Sequence, residues 1–325
     1  MGLISGSVAC TRFNIVSLPE EIDFDLVPFR PIMPGSTHRE REGFVPFEPE
    51  APYEAGVRRW AFRIRIDKVT LDATAVRERL KELIKAETEA VGPPSPKTRQ
   101  KLKQMAEDEM MQHPMPRSKI IECILEETVL YVGTASKTQL GTVLELLKRI
   151  GVEVDFKTPW MDAGQEDQYH ENVEIKEPGQ SVWGARFLKA LLNDPDVLVE
   201  PEKGSVKLIT ADGAKVSLAG AVLNELDRLL ESGSEVLSSK LMMDEFQFGL
   251  DALGFRLTGV KLDNIKGKHW TEVLDLRMDK LKELWEALDD KYQKFMEKEE
   301  AGQPVFGSQP QAAPEAGEAE ASAGE

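Results

Sequence analysis

The chain has 325 residues, 41% of them hydrophobic and 30% charged, a composition that excludes wholesale disorder and suits one large domain or two to three smaller ones. No run approaches the roughly 18 apolar residues that cross a bilayer, and its two cysteines, Cys10 and Cys123, cannot form a disulfide framework. We therefore expect a soluble, cytoplasmic protein without a membrane partner.

The net charge of −16 is unevenly distributed along the sequence. Residues 161–180 hold six acids and one lysine, and residues 301–325 hold four glutamates and no base, which leaves −7 on the remainder. That remainder contains basic runs: five bases against one acid in residues 58–68, four bases within residues 97–103, and four bases against one acid in residues 256–268. Because phosphate contacts depend on local potential, such runs are compatible with a polyanionic partner, although solvated faces also carry them.

The N-terminal part combines strand and helix signals. After a first strand and a proline-rich, irregular stretch, residues 59–71 alternate between apolar and charged side chains, which predicts a half-buried strand with Arg63, Arg65 and Asp67 on its wet face. Two amphipathic segments then predict helices, the second opened by Pro96, since proline fits the first helical turn. The predicted elements are strands over 3–16 and 59–71 and helices over 74–90 and 96–111.

Residues 113–117 hold two prolines and predict a break before a hairpin that turns at Glu126-Glu127. Ser136 and Gln139 have the spacing of a capping box that opens a helix, and Gly151 is its expected end. The predicted elements are strands over 119–125 and 128–133, a helix over 137–150 and a strand over 152–157.

The C-terminal part shows the same mixture, with a turn at Asp212-Gly213 and a long amphipathic helix near the end. The apolar stripe of that helix is assigned to Val273, Leu276, Leu281, Leu284 and Leu288. The predicted elements are helices over 182–192, 219–230 and 269–299 and strands within 197–217 and over 235–243, 245–252 and 255–263.

Strands that come in hairpins with helices interspersed predict an α+β fold with antiparallel sheets rather than a doubly wound fold. The domain prediction is a sheet region from 1–72 and 119–160, a helical region with the basic cluster at 73–118, an acidic linker at 161–180, a second α+β lobe with the C-terminal helix at 181–300, and a disordered acidic tail at 301–325.

Motifs of the common catalytic classes are missing: there is no GxxxxGK[ST], no GxGxxG after a strand, no HExxH and no GxSxG. The best enzymatic candidate is Glu153, Asp155 and Lys157, which period 2 places on one strand face, as in a Mg²⁺-dependent nuclease. The Pro-Asp pair that commonly precedes such a set is missing, and a solvated strand face explains the alternation. We expect no catalytic residues, metal or cofactor, and we keep the nuclease as an alternative.

Several short motifs, in order and spacing, resemble the bacterial recombination-associated RdgC family. They are Gly43-Phe44-Val45-Pro46, residues 97–111 leading to Met115-Pro116-Arg117, the hairpin at 120–133, the helix at 135–150, Ser239-Lys240-Leu241, Gly259-Val260-Lys261-Leu262 and Glu272-Val273-Leu274-Asp275-Leu276. The resemblance covers roughly residues 1–296. The chain departs from the family pattern at Lys119, where an aromatic side chain can follow the Pro-Arg pair, and in its acidic linker and tail.

The resemblance implies a horseshoe-like, multi-lobed subunit that pairs into a homodimeric ring around duplex DNA, binds it without marked sequence preference, and restrains RecA-driven strand exchange. It implies a cytoplasmic, nucleoid-associated protein with DNA, a second copy and RecA as partners, and single-stranded DNA as a further ligand. A ring lined with bases would gain affinity by releasing counterions and would need no base contacts.

On this interpretation the basic side chains are the expected phosphate contacts. The first candidates are Lys97, Arg99, Lys101, Lys103, Arg117 and Lys119, followed by Lys207, Lys215 and Lys240. For the last three, the sequence does not show which strand face would line the ring. Aromatic residues do not interleave with the basic runs, so base stacking is not indicated. Besides the nuclease, an acidic adaptor that binds a protein through its C-terminal helix and tail remains an alternative.

Overall fold

The computed structural model describes residues 2–166, 170–201, 203–263, 267 and 269–302. The chain divides into two compact units, Met1–Lys157 with Lys266–Leu274, and Thr158–Ile265 with Asp275–Glu325. Each unit contains antiparallel strands and helices, which confirms the α+β prediction. The predicted tail lies outside the described residues from residue 303 onward, as do residues 167–169 of the predicted linker and Lys266 and Lys268 of the third basic run.

The first unit holds a sheet in the order β7-β1-β6-β5-β4-β2, with β3 also paired to β4. Its elements are β1 (Val8–Ser17), β2 (Glu40–Val45), β3 (Glu54–Gly56), β4 (Arg59–Val69), α1 (Ala73–Ala90), α2 (Pro96–Met110), β5 (Pro116–Leu125), β6 (Val129–Val132), α3 (Lys137–Arg149) and β7 (Glu153–Phe156). The strand β2 falls in the stretch that was predicted to be irregular, and β1 begins at Val8 rather than at residue 3.

One face of this sheet is covered by α3. Its apolar side chains recur at helical spacing, so Leu140, Val143 and Leu147 all reach the core that contains Phe62 and Ile121. The predicted capping box is wrong, because the Ser136 side chain makes no capping hydrogen bond.

Thr134 takes over the role that the capping box gave to Ser136. Its hydroxyl donates to the side-chain oxygen of Gln139 and accepts the amide of Ser136. Gly151 ends the helix as predicted, with a φ of 79° that favours glycine.

The second unit holds a sheet in the order β10-β9-β11-β12-β13, with β8 also paired to β11. Its elements are α4 (Pro159–Asp162), α5 (Val182–Leu192), β8 (Val197–Val199), β9 (Ser205–Ile209), β10 (Lys215–Ala219), α6 (Leu226–Glu231), β11 (Glu235–Met243), β12 (Phe246–Asp251), β13 (Arg256–Lys261) and α7 (Trp270–Glu300), the first turn of which belongs to the first unit.

An aromatic cluster forms the core of the second unit. The ring of Phe187 on α5 lies 5.1 Å from that of Tyr292 and 5.8 Å from that of Phe295, both on α7. The buried side of α7 follows a spacing of three and four residues through Leu281, Leu288 and these aromatics. Leu276 is 46% exposed, so its assignment to the apolar stripe was wrong.

Among the described residues, every helix is either too short or too polar to span a membrane.

Candidate nucleic-acid interface

The basic run of residues 58–68 is neutralised by carboxylates in the folded chain. Four of its five partners lie outside the run, up to 69 residues away, and the fifth is Asp67 within it. The ion pairs are Arg58–Glu127 at 2.6 Å, Arg59–Glu126 at 3.2 Å, Arg63–Glu122 at 2.9 Å, Arg65–Asp67 at 2.9 Å and Lys68–Glu40 at 2.9 Å. Each cation of the run therefore has a carboxylate partner that offsets its charge. Lys68 and its partner Glu40 also belong to the end of the sheet described below.

The predicted wet face of β4 is covered rather than open to water. The guanidinium of Arg65 lies 4.5 Å from the ring centre of Phe29, and that of Arg63 lies 4.5 Å from the ring centre of Phe47. Both rings come from the proline-rich stretch, which folds back over the strand. The prediction of a solvated face at Arg63, Arg65 and Asp67 is therefore wrong, since Asp67 is fully buried and the arginines are partly buried.

Asp67 is the buried anchor of this face. Arg65 binds its carboxylate through two hydrogen bonds of 2.9 Å. Burial by itself raises the pKa of the Asp67 carboxyl, but hydrogen bonds from Arg65 and Ser118 and the charge of Arg65 outweigh it, so the pKa lies below its ordinary value of 3.8. The carboxylate therefore stabilises the fold above about pH 4, and this contribution is lost as the pH falls through the lowered pKa.

We expect Asp67→Asn to lower the free energy of unfolding by about 1–3 kcal/mol at pH 7, because the amide lacks the negative charge and one of the two acceptor oxygens that bind Arg65. Urea unfolding at pH 7 and at about pH 3 measures the effect. The difference between wild type and variant should shrink in acid, because the stabilisation by the wild-type carboxylate is lost progressively as the pH falls from the ordinary pKa of 3.8 through the lowered pKa of the folded state. An equal difference at both pH values would show that packing, not charge, carries the effect.

The basic cluster on α2 splits into two pairs. Residues four apart share a helix face, so Lys97 and Lys101 lie together on one face, whereas Arg99 and Lys103 lie on another that is closer to the buried Leu102 and Ala106. Lys103 lies 3.8 Å from Glu107 of the same helix.

Three exposed cations of α2 form no ion pair with any other described residue: Lys97, Arg99 and Lys101. They lie in the N-terminal half of the helix, where the helix dipole disfavours positive charge. Ser95 caps α2 by accepting the amide of Thr98 at 3.2 Å, and no acid stands in the first turn. A base in the first turn of a helix costs about 0.3–1 kcal/mol, and Lys97 stands at the second helical position. The fold therefore tolerates a local concentration of positive charge here.

A second group of exposed cations lies on β5. The helix ends before residues 113–117 as predicted, but β5 begins at Pro116 rather than at residue 119, and every residue from 116 to 120 is exposed. Arg117 stands directly opposite Lys68 on β4, a like-charge pair that disfavours the sheet. Arg117 and Lys119 form no ion pair with another described residue. This end of the sheet is therefore positively charged.

The three candidate lysines of the second unit share one sheet face. Lys207 pairs with Ser217 and Ser238 across its two neighbouring strands, and Lys240 stands two residues after Ser238. Lys215 pairs with Ile209, which stands two residues after Lys207. Strand alternation then puts all three lysines on the face opposite the buried Val206 and Leu208.

Lys68 also belongs to the positive end of the sheet, although the sequence did not identify it as a candidate phosphate contact. The sequence places it in an alternating strand, but only the register of β4 against β5 brings it opposite Arg117. Strand pairing between residues about 50 apart is not encoded in any local pattern.

The alternative nuclease residues remain surface residues in the structure. Glu153 and Asp155 are exposed on β7, opposite Ser17 and Asn14 of β1, and Lys157 follows the strand. Within the described ranges, no three His, Cys, Asp or Glu side chains come together as a metal site would require. The absence of catalysis stays a prediction.

Exposed stacking platforms are also missing from the described part of the chain. The strongly exposed large hydrophobic residues there are all aliphatic, among them Met105, Met115 and Ile120. Since unstacked bases bind to exposed aromatic rings, contacts to the sugar–phosphate backbone are the kind that this surface offers.

Comparison of the chain with protein-family models and with curated proteins finds no match.

Proposed function

We propose that this protein binds DNA through its phosphates, without marked sequence preference, and acts as a non-enzymatic modulator of recombination or replication. The observation that carries the proposal is a contrast between two sets of bases. Those of residues 58–68 each have a carboxylate partner, whereas Lys97, Arg99, Lys101, Arg117 and Lys119 are exposed and unpaired among the described residues.

Unpaired exposed cations suit a polyanion for a physical reason. A base that already has a carboxylate partner must lose it before it can neutralise a phosphate, while a free base only displaces solvent and condensed counterions. Contacts of this kind position a protein on DNA and carry no sequence information. The unpaired set lies on a helix and a strand of the same unit.

The resemblance to the RdgC family supports the further parts of the proposal: a homodimer that closes into a ring around duplex DNA, restraint of RecA, and a place in the cytoplasm at the nucleoid. Lys207, Lys215 and Lys240 would then line the second unit's share of the DNA surface. The acidic linker and tail would keep DNA away from the remaining surface, because like charges repel.

Fluorescence anisotropy tests the proposal with a labelled duplex of random sequence, a labelled single strand, several salt concentrations, and buffer with or without Mg²⁺. We expect duplex binding whose logarithm falls linearly with the logarithm of the salt concentration, with a slope of about −0.9 for each phosphate neutralised. The DNA should stay intact with Mg²⁺. No binding at low salt would overturn the proposal, and Mg²⁺-dependent loss of the DNA would favour the nuclease built on Glu153 and Asp155.

A further inference from the structure

A cavity of about 300 Å³ opens beside the unpaired cations of β5. It lies between the end of the sheet, where Lys68, Arg117 and Lys119 project, and the first two turns of α3. The first half of β5 lines the cavity and is not paired with β6. Arg117 and Lys119 in this half are charged, whereas Cys123 and Leu125 in the paired half belong to the core. The cavity is therefore formed by the boundary between the core and the positive end of the sheet.

The lining of this cavity carries an excess of two positive charges. Three cations, Lys68, Arg117 and Lys119, face one carboxylate, that of Glu40. Glu40 holds Lys68 at 2.9 Å, and no ion pair engages Arg117 or Lys119 within the described residues. A concave site lined mainly by one sign of charge focuses the electrostatic field and raises the local concentration of anions.

Hydroxyl groups complete the lining on the helix side. Ser136 and Thr138 stand at the start of α3, and the Ser136 side chain is not used to cap the helix. Ile66 contributes an apolar wall and is buried. Lysine, guanidinium and hydroxyl donors around one small space form the donor set that a phosphate group takes, and Arg supplies paired donors in a fixed geometry.

We propose that this cavity binds a dianionic phosphate monoester, such as a 5′-terminal phosphate of DNA or the phosphate of a free nucleotide. A monoester carries about −1.5 to −2 charge near neutral pH and has three free oxygens. It matches the net charge of the lining, whereas a phosphodiester carries one charge and two flanking sugars that need an open path on both sides. The DNA-end form rests on the proposed function, but the nucleotide form does not.

Two ligand series separate the sources. The first compares labelled duplexes of one sequence that carry a 5′-phosphate or a 5′-hydroxyl, with a closed circular duplex as competitor. The second titrates inorganic phosphate and 5′-dAMP and follows the ³¹P resonance. We expect about tenfold tighter binding of the phosphorylated duplex, equivalent to about 1.4 kcal/mol, and broadening of the ³¹P line.

Variants assign the effect to the cavity. Lys119→Gln removes an exposed charge and should reduce the tenfold preference to about twofold. Thr142→Phe leaves every charge in place but fills space on the helix wall, and should also abolish the preference. Lys294→Gln removes an exposed charge on α7 and should leave the preference unchanged. Because Thr142→Phe could perturb α3, its folding is checked by circular dichroism, and Lys119→Gln gives the test without that risk.

The outcomes distinguish this inference from the proposed function. Equal binding of both duplexes without any ³¹P response overturns the cavity while DNA binding stands. A ³¹P response to 5′-dAMP with equal duplex binding supports the cavity and assigns it to free nucleotides. Binding of 5′-dAMP without binding of any DNA supports the cavity and overturns the proposed function.

Discussion

Replacing Lys97, Lys101, Arg117 and Lys119 together by glutamine is expected to weaken binding of duplex DNA by about three orders of magnitude at 0.1 M salt. Each lost phosphate contact removes about 0.9 from the slope of the log–log salt plot, so the slope should become shallower by three to four units. The loss should be the same for unrelated sequences, since phosphates are common to all of them. Anisotropy over a range of salt concentrations measures both quantities.

A matched variant controls for the change in net charge. Replacing Arg58, Lys85, Arg228 and Lys280 by glutamine removes the same charge from cations that already have carboxylate partners. We expect the salt slope of this variant to stay within about one unit of the wild type. An equal loss in both variants would contradict the proposed interface, because binding would then follow total charge alone. Lys103, which pairs with Glu107, should contribute less than Lys101.

Gly184→Ala should destabilise the protein by about 3 kcal/mol or more, beyond the usual range for overpacking. A Cβ atom at this position of α5 would lie 2.0 Å from the backbone oxygen of Ala252 and 2.9 Å from a ring atom of Trp160. Neither group can yield easily: the oxygen belongs to the backbone, and the tryptophan is fully buried. Urea unfolding measures the change.

Gly141→Ala is the control for this substitution. Gly141 lies in the interior of α3, it is exposed, and nothing stands within 4 Å of the added Cβ. Alanine is favoured over glycine in a helix, so the variant should gain about 0.5–1 kcal/mol. The two substitutions are chemically identical and should have opposite signs. A neutral Gly184→Ala would mean that α5 can move away from Ala252.

Local signals predicted most of the secondary structure correctly. Pro96 at the start of α2, Gly151 after α3 and the turn at Asp212-Gly213 act over a few residues, and the structure confirms each of them. The wrong prediction for the charged face of β4 involves partners that lie outside the strand. The rings of Phe29 and Phe47 cover the charged face of β4, and no pattern within the strand reports that they fold back over it.

For the candidate site, too, local sequence identified some features, and others depended on contacts between distant residues. Composition alone identifies the cluster of bases on α2, but it gives equal weight to the run of residues 58–68. Only the folded chain separates them, because Arg58 finds Glu127 and Arg63 finds Glu122 across wide gaps in the sequence. Counting bases along a sequence therefore overestimates the positive surface wherever a sheet brings acids back to them.

The hairpin of α1 and α2 is thinly packed, and this has a consequence for its dynamics. Of its 33 helical residues, the buried ones are Val76, Leu102 and Ala106. The exposed ion pair between Arg79 and Glu109 adds little, since solvent screens it. We expect such a segment to open at a lower free energy than the sheet of the same unit, independently of global unfolding. A ligand that contacts α2 binds only molecules in which the hairpin is closed. Its measured affinity therefore depends on the fraction of closed molecules as well as on the contacts that it makes.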